Sequence, residues 1–171
     1  KLGGLNGEAI QKDQMIDFKK TAADKYVSTP SFQVKGTFNT SIIRVVAGPE
    51  FNLLNMAANV LGENDYIISN ESDRMGIRTV GKKMQIDDGG SMISKPIYPG
   101  MVQCPQNGLP IILGADAQTL GGYPRILQVI KADRHLLGQL KPNDRFRFNL
   151  ISIAEAIDDL TNIMNVNNLS G

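Results

Sequence analysis

The sequence predicts a mainly β domain with two or three helices, folded as a sandwich or a closed barrel. Short apolar runs rich in β-branched residues recur from residue 41 to residue 150, at intervals of roughly ten residues. Turn-forming pairs separate these runs, among them Gly89-Gly90, Pro99-Gly100 and Asn107-Gly108. Arg145–Leu150 alternates strictly between polar and apolar side chains, which is typical of a strand with one buried face. Many short strands at this spacing are typical of both architectures.

The first elements follow a weakly patterned start. Residues 1–40 are expected to form an extended lead-in with one or two strands, because their apolar residues occur only in short groups. Residues 41–47 are rich in β-branched side chains and predict a buried strand. Pro49 should then open a helix, since proline is well tolerated in a first helical turn. The apolar stripe of that helix would consist of Phe51, Leu54, Ala58 and Leu61.

The remaining elements are predicted to be short strands followed by one helix. Strands are expected at residues 66–68, 76–80, 101–104, 111–113, 126–130 and 145–150, with a helical turn at 133–140. Ser152 and Glu155 have the spacing of a capping box and should start the last helix. Its apolar side would consist of Ile153, Ile157, Leu160 and Met164. We therefore expect a β domain over residues 41–151, followed by a helix and tail over 152–171.

Composition excludes several classes of protein. The chain of 171 residues carries 18 Lys and Arg against 17 Asp and Glu, which predicts neither a nucleic-acid-binding surface nor an acidic tail. Cys104 is the only cysteine, so no internal disulfide can form and a reducing compartment is expected. Without an apolar run long enough for a membrane span or a secretory signal, the expected location is the cytoplasm. The first residue is Lys1, as expected for a processed chain or a piece of a longer protein.

Most catalytic signatures are absent from the sequence. It has no P-loop, no dinucleotide-binding fingerprint and no nucleophile elbow. His135 is the only histidine, so a His-rich metal site or a Ser-His-Asp triad within the chain is not expected, and His135 should be a surface residue. Cys104 lies in an apolar run without basic neighbours and is expected to be buried and structural. No metal site is predicted.

Residues 115–124 form the strongest candidate site. The candidate residues are Asp116, Gln118, Thr119, Gly121, Gly122 and Tyr123. The three polar residues follow an apolar strand directly, which would place them at the end of a rigid element. The glycine pair would let the backbone take positive φ and form an anion-binding nest, and the tyrosine would offer a stacking face. A glycine-rich hairpin turn whose polar groups satisfy one another explains the same residues equally well.

A second candidate is Arg74, which lies just before the strand predicted at residues 76–80. Its guanidinium offers a rigid fork of donors suited to a carboxylate or a phosphate. The alternative is a surface ion pair between Arg74 and Asp73 that contributes little to stability. The residues by themselves favour this alternative.

Together these stretches resemble the motifs of one family. Residues 72–78 read Ser-Asp-Arg-Met-Gly-Ile-Arg, in which position 77 is not part of the motif. The further matching positions are Gln103, Pro105, Gly108, Pro110, Ile111, Asp116, Gln118, Thr119, Gly121, Gly122, Tyr123, Pro124, Asp133, Gln139, Leu140, Pro142, Asp144, Arg147 and Phe148. Over residues 41–155 the chain is similar to the allophanate hydrolase subunit 2 family, also called the carboxyltransferase A/B domain and the C subunit of bacterial 5-oxoprolinase. The resemblance implies a cyclophilin-like β-barrel that is the C-terminal half of a longer subunit. The family's Pro-Gly-Asp turn reads Pro142-Asn143-Asp144 here, and asparagine tolerates the left-handed conformation.

The resemblance also implies an activity within an assembly. One branch of the family opens 5-oxoproline to glutamate with ATP and two other subunits, another moves CO2 from carboxybiotin to urea, and a third pairs with an inhibitor of a histidine kinase. Both chemistries must stabilise negative charge on an amide or ureido oxygen, for which each preorganised donor contributes roughly 3–4 kcal/mol. The resemblance thus implies Arg74 and the Gly121-Gly122 backbone as donors. Asp116 would orient Arg74 or take a proton.

Three functional hypotheses follow, and in the enzymatic ones Gln118 and Thr119 would hold the substrate amide. The first is a 5-oxoprolinase C subunit, favoured because no Met-Lys biotin-attachment motif is present. Its partners would be a companion B-type subunit and a lactam-utilisation-type subunit, ATP would be bound by the assembly, and the fragment by itself would be inactive. The second is the carboxyltransferase domain of a biotin-dependent urea carboxylase. The third is a non-catalytic regulatory subunit that contacts the B-type subunit through its last helix and the Tyr98-Pro99 loop.

Overall fold

The structure, a computed structural model, describes residues 11–17, 41–55, 58–87 and 92–168. The chain divides into two units, Lys1–Gly36 and Thr37–Gly171, and the elements below belong to the second. The extended lead-in predicted over residues 1–40 lies largely outside the described residues and stays a prediction. In the ranges described, no helix combines the length and the apolar character that crossing a membrane requires.

The second unit contains a closed β-barrel. The strands found in the described ranges are β1 (Ile42–Ala47), β2 (Tyr66–Ile68), β3 (Gly76–Gly81), β4 (Lys95–Pro96), β5 (Met101–Gln103), β6 (Ile111–Leu113), β7 (Leu120–Gly121), β8 (Arg125–Val129) and β9 (Arg145–Leu150). Seven of them close the barrel in the order β1-β8-β5-β6-β3-β2-β9. Strands β1 and β9 pair in parallel, and the other neighbours are antiparallel. The predicted mainly β fold is confirmed, as a barrel rather than a sandwich.

The barrel core is built on the strand alternation seen in the sequence. In β9, Phe146 and Phe148 are 1% and 0% exposed, whereas the arginines between and before them face solvent. Tyr66 of β2 packs against both rings, with centroid separations of 5.7 and 5.1 Å. Such aromatic contacts add to the free energy gained by burying the rings. Cys104 is fully buried, as predicted, and burial raises the pKa of its thiol to about 11.

Within the part of the chain that the structure describes, the helices are α1 (Ala58–Glu63), α2 (Arg134–Leu137) and α3 (Ile153–Asn168), with single 3₁₀ turns at Phe51–Leu53 and Lys131–Asp133. The long helix predicted after Pro49 is wrong. Leu54 forms a bridge with Ile86, and the backbone N–H of Asn55 donates to the carbonyl of Gln85 at 2.8 Å. These contacts take the backbone groups that a continuous helix would have used, so only a 3₁₀ turn and a short α1 remain.

Helix α3 begins with the predicted capping box. The backbone N–H of Glu155 donates to Ser152 Oγ at 3.2 Å, and that of Ser152 donates to the Glu155 carboxylate at 2.8 Å. Its predicted apolar side is largely exposed, since Ile153 is 67% and Ile157 57% accessible. Arg44 of β1 instead connects the barrel to α3 through an ion pair with Asp159.

Candidate functional site

The loop before β3 is shaped by the side chains of its own motif. Asp73 Oδ1 accepts hydrogen bonds from the backbone N–H groups of Met75 and Gly76, at 2.8 and 3.0 Å. Ser72 Oγ accepts from the Arg78 N–H at 3.0 Å and donates to the Arg78 carbonyl at 3.2 Å. These bonds close a compact turn that presents Arg74 outward. The first family motif therefore has a structural explanation.

This loop lies against the segment that follows β6. Strands β3 and β6 pair with Gly76 opposite Leu113, and the pairing continues beyond both strands. The Gly114 N–H donates to the Met75 carbonyl at 2.9 Å, and the Asp116 N–H donates to the Arg74 carbonyl at 3.0 Å. The fold thus brings together two sequence motifs separated by about forty residues.

Arg74 and Asp116 form a two-pronged ion pair at this edge. Arg74 Nε lies 2.5 Å and Nη2 3.0 Å from the two carboxylate oxygens of Asp116. The predicted orientation of Arg74 by Asp116 is therefore present, whereas the alternative pair with Asp73 is wrong because Asp73 is engaged by backbone N–H groups. The guanidinium holds the pKa of Asp116 below its ordinary value. Asp116 is thus suited to orient Arg74 rather than to accept a proton at neutral pH.

A cavity of about 660 Å³ opens beside this ion pair. Residues 72–74 and 113–115 form one wall, the Pro99-Gly100 turn lies at the base of another, and α2 with the following loop closes the third side. The apolar lining consists of Ile68, Ile77, Pro99, Leu113, Leu137, Leu140 and Pro142. Arg74, Arg134 and His135 contribute cationic or titratable groups to the lining. Its size and mixed lining are those of a small-molecule site.

Sequence reasoning missed two of these residues. Arg134 was not singled out, and His135 is exposed as predicted but also lines the cavity. The sequence signal that could have indicated both residues was Asp133, a position that matches the family and directly precedes them. Asp133 is only 4% exposed and accepts from the backbone N–H of Arg44 at 2.9 Å and from its Nη2 at 2.6 Å. This buried link between β1 and the start of α2 fixes the position of the two residues that follow.

The second half of the predicted site lies apart from this cavity. Gln118 and Thr119 are exposed, and among the described residues that line the cavity none comes from positions 118–123. Gly121 belongs to β7, which pairs with β4 in a separate two-stranded ribbon. Tyr123 is 45% exposed, and its carbonyl accepts a hydrogen bond from Gln103 Nε2 at 3.3 Å. Substrate contacts by these residues stay a prediction.

The positive φ predicted for Gly121 and Gly122 is wrong. Within the described part of the chain, positive φ occurs at Gly81, Gly100, Gly108, Asp13 and Asn143. The glycine pair is instead explained by close packing, because a Cβ at Gly121 would lie 2.8 Å from Gln103 Nε2 and one at Gly122 2.9 Å from the Met92 carbonyl oxygen. At the Pro-Asn-Asp turn the expectation is confirmed, since Asn143 has a φ of 71°.

Comparison with known proteins supports the family that the motifs indicate. The family described as the carboxyltransferase domain, subdomains A and B, matches residues 1–150. The chain belongs to this family. The resemblance drawn from residues 41–155 is therefore confirmed.

Two curated relatives are each more than 30% identical in sequence to this chain. The C subunit of 5-oxoprolinase from Escherichia coli (strain K12) is 33% identical over 157 residues, which cover 91% of this chain and 50% of that protein. The corresponding C subunit from Haemophilus influenzae is 31% identical over 156 residues, with coverages of 91% and 49%. The chain thus spans about half the length of these curated relatives.

A solved structure shares the fold. The crystal structure of the Kluyveromyces lactis urea carboxylase matches with a TM-score of 0.61 at 24% identity, over 67% of this chain and 11% of that chain. At this identity the likeness concerns the fold. The chain is thus a domain of the carboxyltransferase family that is similar to proteins named as enzyme subunits.

Proposed function

We propose that this chain is part of a 5-oxoprolinase-type subunit, which opens 5-oxoproline to glutamate together with partner subunits and ATP. The observation that carries this proposal is the identity of 33% and 31% to two 5-oxoprolinase C subunits over 91% of the chain. The partners would be the companion B-type subunit and the lactam-utilisation-type subunit. The resulting assembly is a hetero-oligomer.

The reaction is hydrolysis of a lactam coupled to hydrolysis of ATP. Water adds to the ring carbonyl, the ring C–N bond breaks, and the nitrogen takes the proton, so that 5-oxoproline and one water give glutamate. ATP and a second water give ADP and phosphate, which supplies the driving force. Because the sequence has no P-loop, we assign ATP binding to the assembly rather than to this chain.

Arg74 is the residue that the geometry supports best for stabilising the lactam oxygen. A guanidinium has five N–H donors, and Asp116 engages two of them, which leaves three for a ligand. Asp116 fixes the plane of the guanidinium, so these donors point in defined directions before substrate arrives. Such preorganised donors stabilise developing negative charge more strongly than mobile ones do.

The alternative is carboxyl transfer from carboxybiotin to urea. It is favoured by the family description and by the shared fold with a urea carboxylase. The same Arg74 donors would then stabilise the ureido oxygen. Biotin would be needed only in this alternative, where another domain or protein would carry it.

The test is reconstitution with the partner proteins. Full-length protein mixed with the B-type and lactam-utilisation-type subunits should convert 5-oxoproline to glutamate in proportion to ATP consumed, measured by chromatography of the amino acid. Omitting this protein should abolish glutamate formation. If the folded mixture makes no glutamate but consumes carboxybiotin when urea is added, the carboxyltransferase alternative replaces the proposal.

A further inference from the structure

We infer that Arg134 holds the substrate carboxylate in the cavity beside Arg74. The inference rests on the proposed function and adds to it the ligand group that is recognised, the residue that recognises it and the place where it binds. The ligand class is a small lactam that carries a carboxylate. Urea, the substrate in the alternative function, has no such group.

The lining of the cavity fits an apolar ring with one anionic substituent. Ile77 and Leu113 come from paired strands of the barrel, and Leu137 and Leu140 come from the region of α2. These side chains give the ring of a lactam an apolar surface. These apolar side chains cannot compensate the negative charge of a bound carboxylate. That charge must therefore be compensated by the cationic side chains of the cavity.

Of the two arginines that line the cavity, Arg134 is the one available to a carboxylate. The positive charge of Arg74 is compensated by the carboxylate of Asp116, which lies 2.5 Å from Arg74 Nε. Asp73 is held by two backbone N–H groups of its own loop. Arg134 has no carboxylate partner in the part of the chain that the structure describes. An arginine can bind a carboxylate through two parallel hydrogen bonds.

The position of Arg134 is fixed by its neighbours. Asp133, directly before it, is held by Arg44, as described above. On the other side Gly100 has a φ of +83°, and a Cβ at this position would lie 3.3 Å from Arg134 Nε. The guanidinium therefore lies against a turn that has no side chain in its way. The Gly100 N–H donates to the Leu113 carbonyl at 2.8 Å, which fixes that turn to β6.

Arg134 and Arg74 would contact different groups of the substrate. Arg134 would hold the carboxylate in both the ground state and the transition state, whereas Arg74 would act on the lactam oxygen as negative charge develops there. Loss of uniform binding raises KM with little change in kcat, and loss of transition-state stabilisation lowers kcat. Arg134→Gln should therefore raise the KM for 5-oxoproline, while Arg74→Gln should lower kcat.

The experiment combines direct binding with kinetics on the full-length protein in its assembly. The probes are 5-oxoproline and 2-pyrrolidone, the same ring without the carboxylate, titrated by calorimetry. Arg134→Gln should weaken binding of 5-oxoproline by roughly 10- to 100-fold, as expected for loss of a hydrogen bond to a charged group, and leave that of 2-pyrrolidone unchanged. The matched control is Lys131→Gln, which removes a nearby exposed positive charge that does not line the cavity. Melting temperatures verify that both variants fold.

The outcomes separate this inference from the proposed function. If the assembly makes glutamate but Arg134→Gln changes neither the affinity nor the KM for 5-oxoproline, the function stands and the assignment of Arg134 is overturned. If 5-oxoproline binds in an Arg134-dependent manner but no glutamate forms, the binding site stands and the reaction is wrong. Equal weakening by Arg134→Gln and Lys131→Gln would show a general charge effect and would overturn the assignment.

Discussion

At the scale of single residues, the Arg74–Asp116 pair is too exposed to stabilise the fold much. The side chains are 77% and 51% exposed, and ion pairs this accessible contribute little to the free energy of unfolding. Yet the surrounding turn devotes two side chains, Ser72 and Asp73, to hydrogen bonds that present Arg74. These bonds fix the backbone of the turn from which the Arg74 side chain extends.

We expect Asp116→Ala to lower kcat/KM of the assembled enzyme by about 10² or more, because Arg74 loses the group that orients it. The melting temperature should change little, since the pair is exposed. Glutamate formation and thermal unfolding are to be measured on the same sample. Unchanged activity per folded molecule would eliminate a role of this pair in catalysis.

The chain offers a matched control for this variant. Arg147 and Asp65 form another exposed ion pair, with Nε 2.5 Å from the carboxylate and exposures of 51% and 41%. Neither residue lines the cavity. Asp65→Ala should therefore leave activity unchanged. A comparable loss of activity would mean that removal of any such pair disturbs the barrel.

The partner of Arg74 could not be predicted from residue types. Asp73 is adjacent in the sequence, and Asp116 is forty-two positions away. The choice follows from the antiparallel pairing of β3 with β6, which places the residues just outside both strands side by side. Only the resemblance to the family suggested that Asp116 orients Arg74.

At the scale of elements, the site depends on how closely the loop before β3 approaches the end of β6. Gly114 makes this approach possible, because a Cβ there would lie only 2.1 Å from the Arg74 carbonyl oxygen. No ordinary contact between a carbon and an oxygen is so short. The backbone itself would have to move to admit a side chain.

We expect Gly114→Ala to separate the two segments and to break the hydrogen bonds that align Arg74 with Asp116. Activity should fall at least as far as in Asp116→Ala, and the protein should be destabilised by about 1–3 kcal/mol, as for other overpacked sites. The control is Gly62→Ala in α1, where the nearest atom to the added Cβ is the Phe148 carbonyl oxygen at 3.7 Å. That variant should be neutral or slightly stabilising in urea denaturation, since alanine favours helix. Equal behaviour of the two variants would contradict the argument.

Local patterns predicted strands better than they predicted the glycine pair or the first helix. The alternation in β9 and the capping box of α3 depend on neighbouring residues, so the sequence contains the whole signal. The helix after Pro49 was interrupted by the bridge between Leu54 and Ile86, a contact between distant segments. Similarly, a glycine is needed at position 121 because a side chain there would collide with Gln103, not because the backbone has a positive φ. Both errors come from tertiary contacts.

At the scale of the whole molecule, barrel closure could be expected only in part. The number and spacing of strands predicted a β domain, and the resemblance to a family decided between barrel and sandwich. The order of the strands, with β1 between β8 and β9, is set by long-range pairing and has no local signature. The cavity has no local sequence signature either, because its walls come from β3, β6 and α2.

An ion-pair cluster around the buried Glu50 connects the barrel to the two-stranded ribbon of β4 and β7. Glu50, after β1, is only 7% exposed and accepts from Arg125 Nε at 2.8 Å, from its Nη2 at 2.7 Å and from its backbone N–H at 3.0 Å. Lys95 of β4 donates to the same carboxylate at 3.0 Å. These hydrogen bonds, those from Arg125 above all, lower the pKa of Glu50 to about 2. The cluster joins β8, β4 and the segment after β1.

This cluster gives the unfolding free energy a predictable dependence on pH. The pKa of the Glu50 carboxyl is 4.5 when the chain is unfolded and about 2 when it is folded, so its contribution is complete above about pH 4.5 and is lost as the pH falls toward 2. At neutral pH the contribution is on the order of 3 kcal/mol. Urea denaturation of Glu50→Gln beside the parent protein should therefore show a large difference at pH 7 that shrinks steadily below pH 4.5. Glu63→Gln, at an exposed position in α1, should differ little from the parent at pH 7. A Glu50→Gln difference that stays the same at pH 7 and pH 3 would mean that packing of the side chain, not its charge, stabilises this part of the barrel.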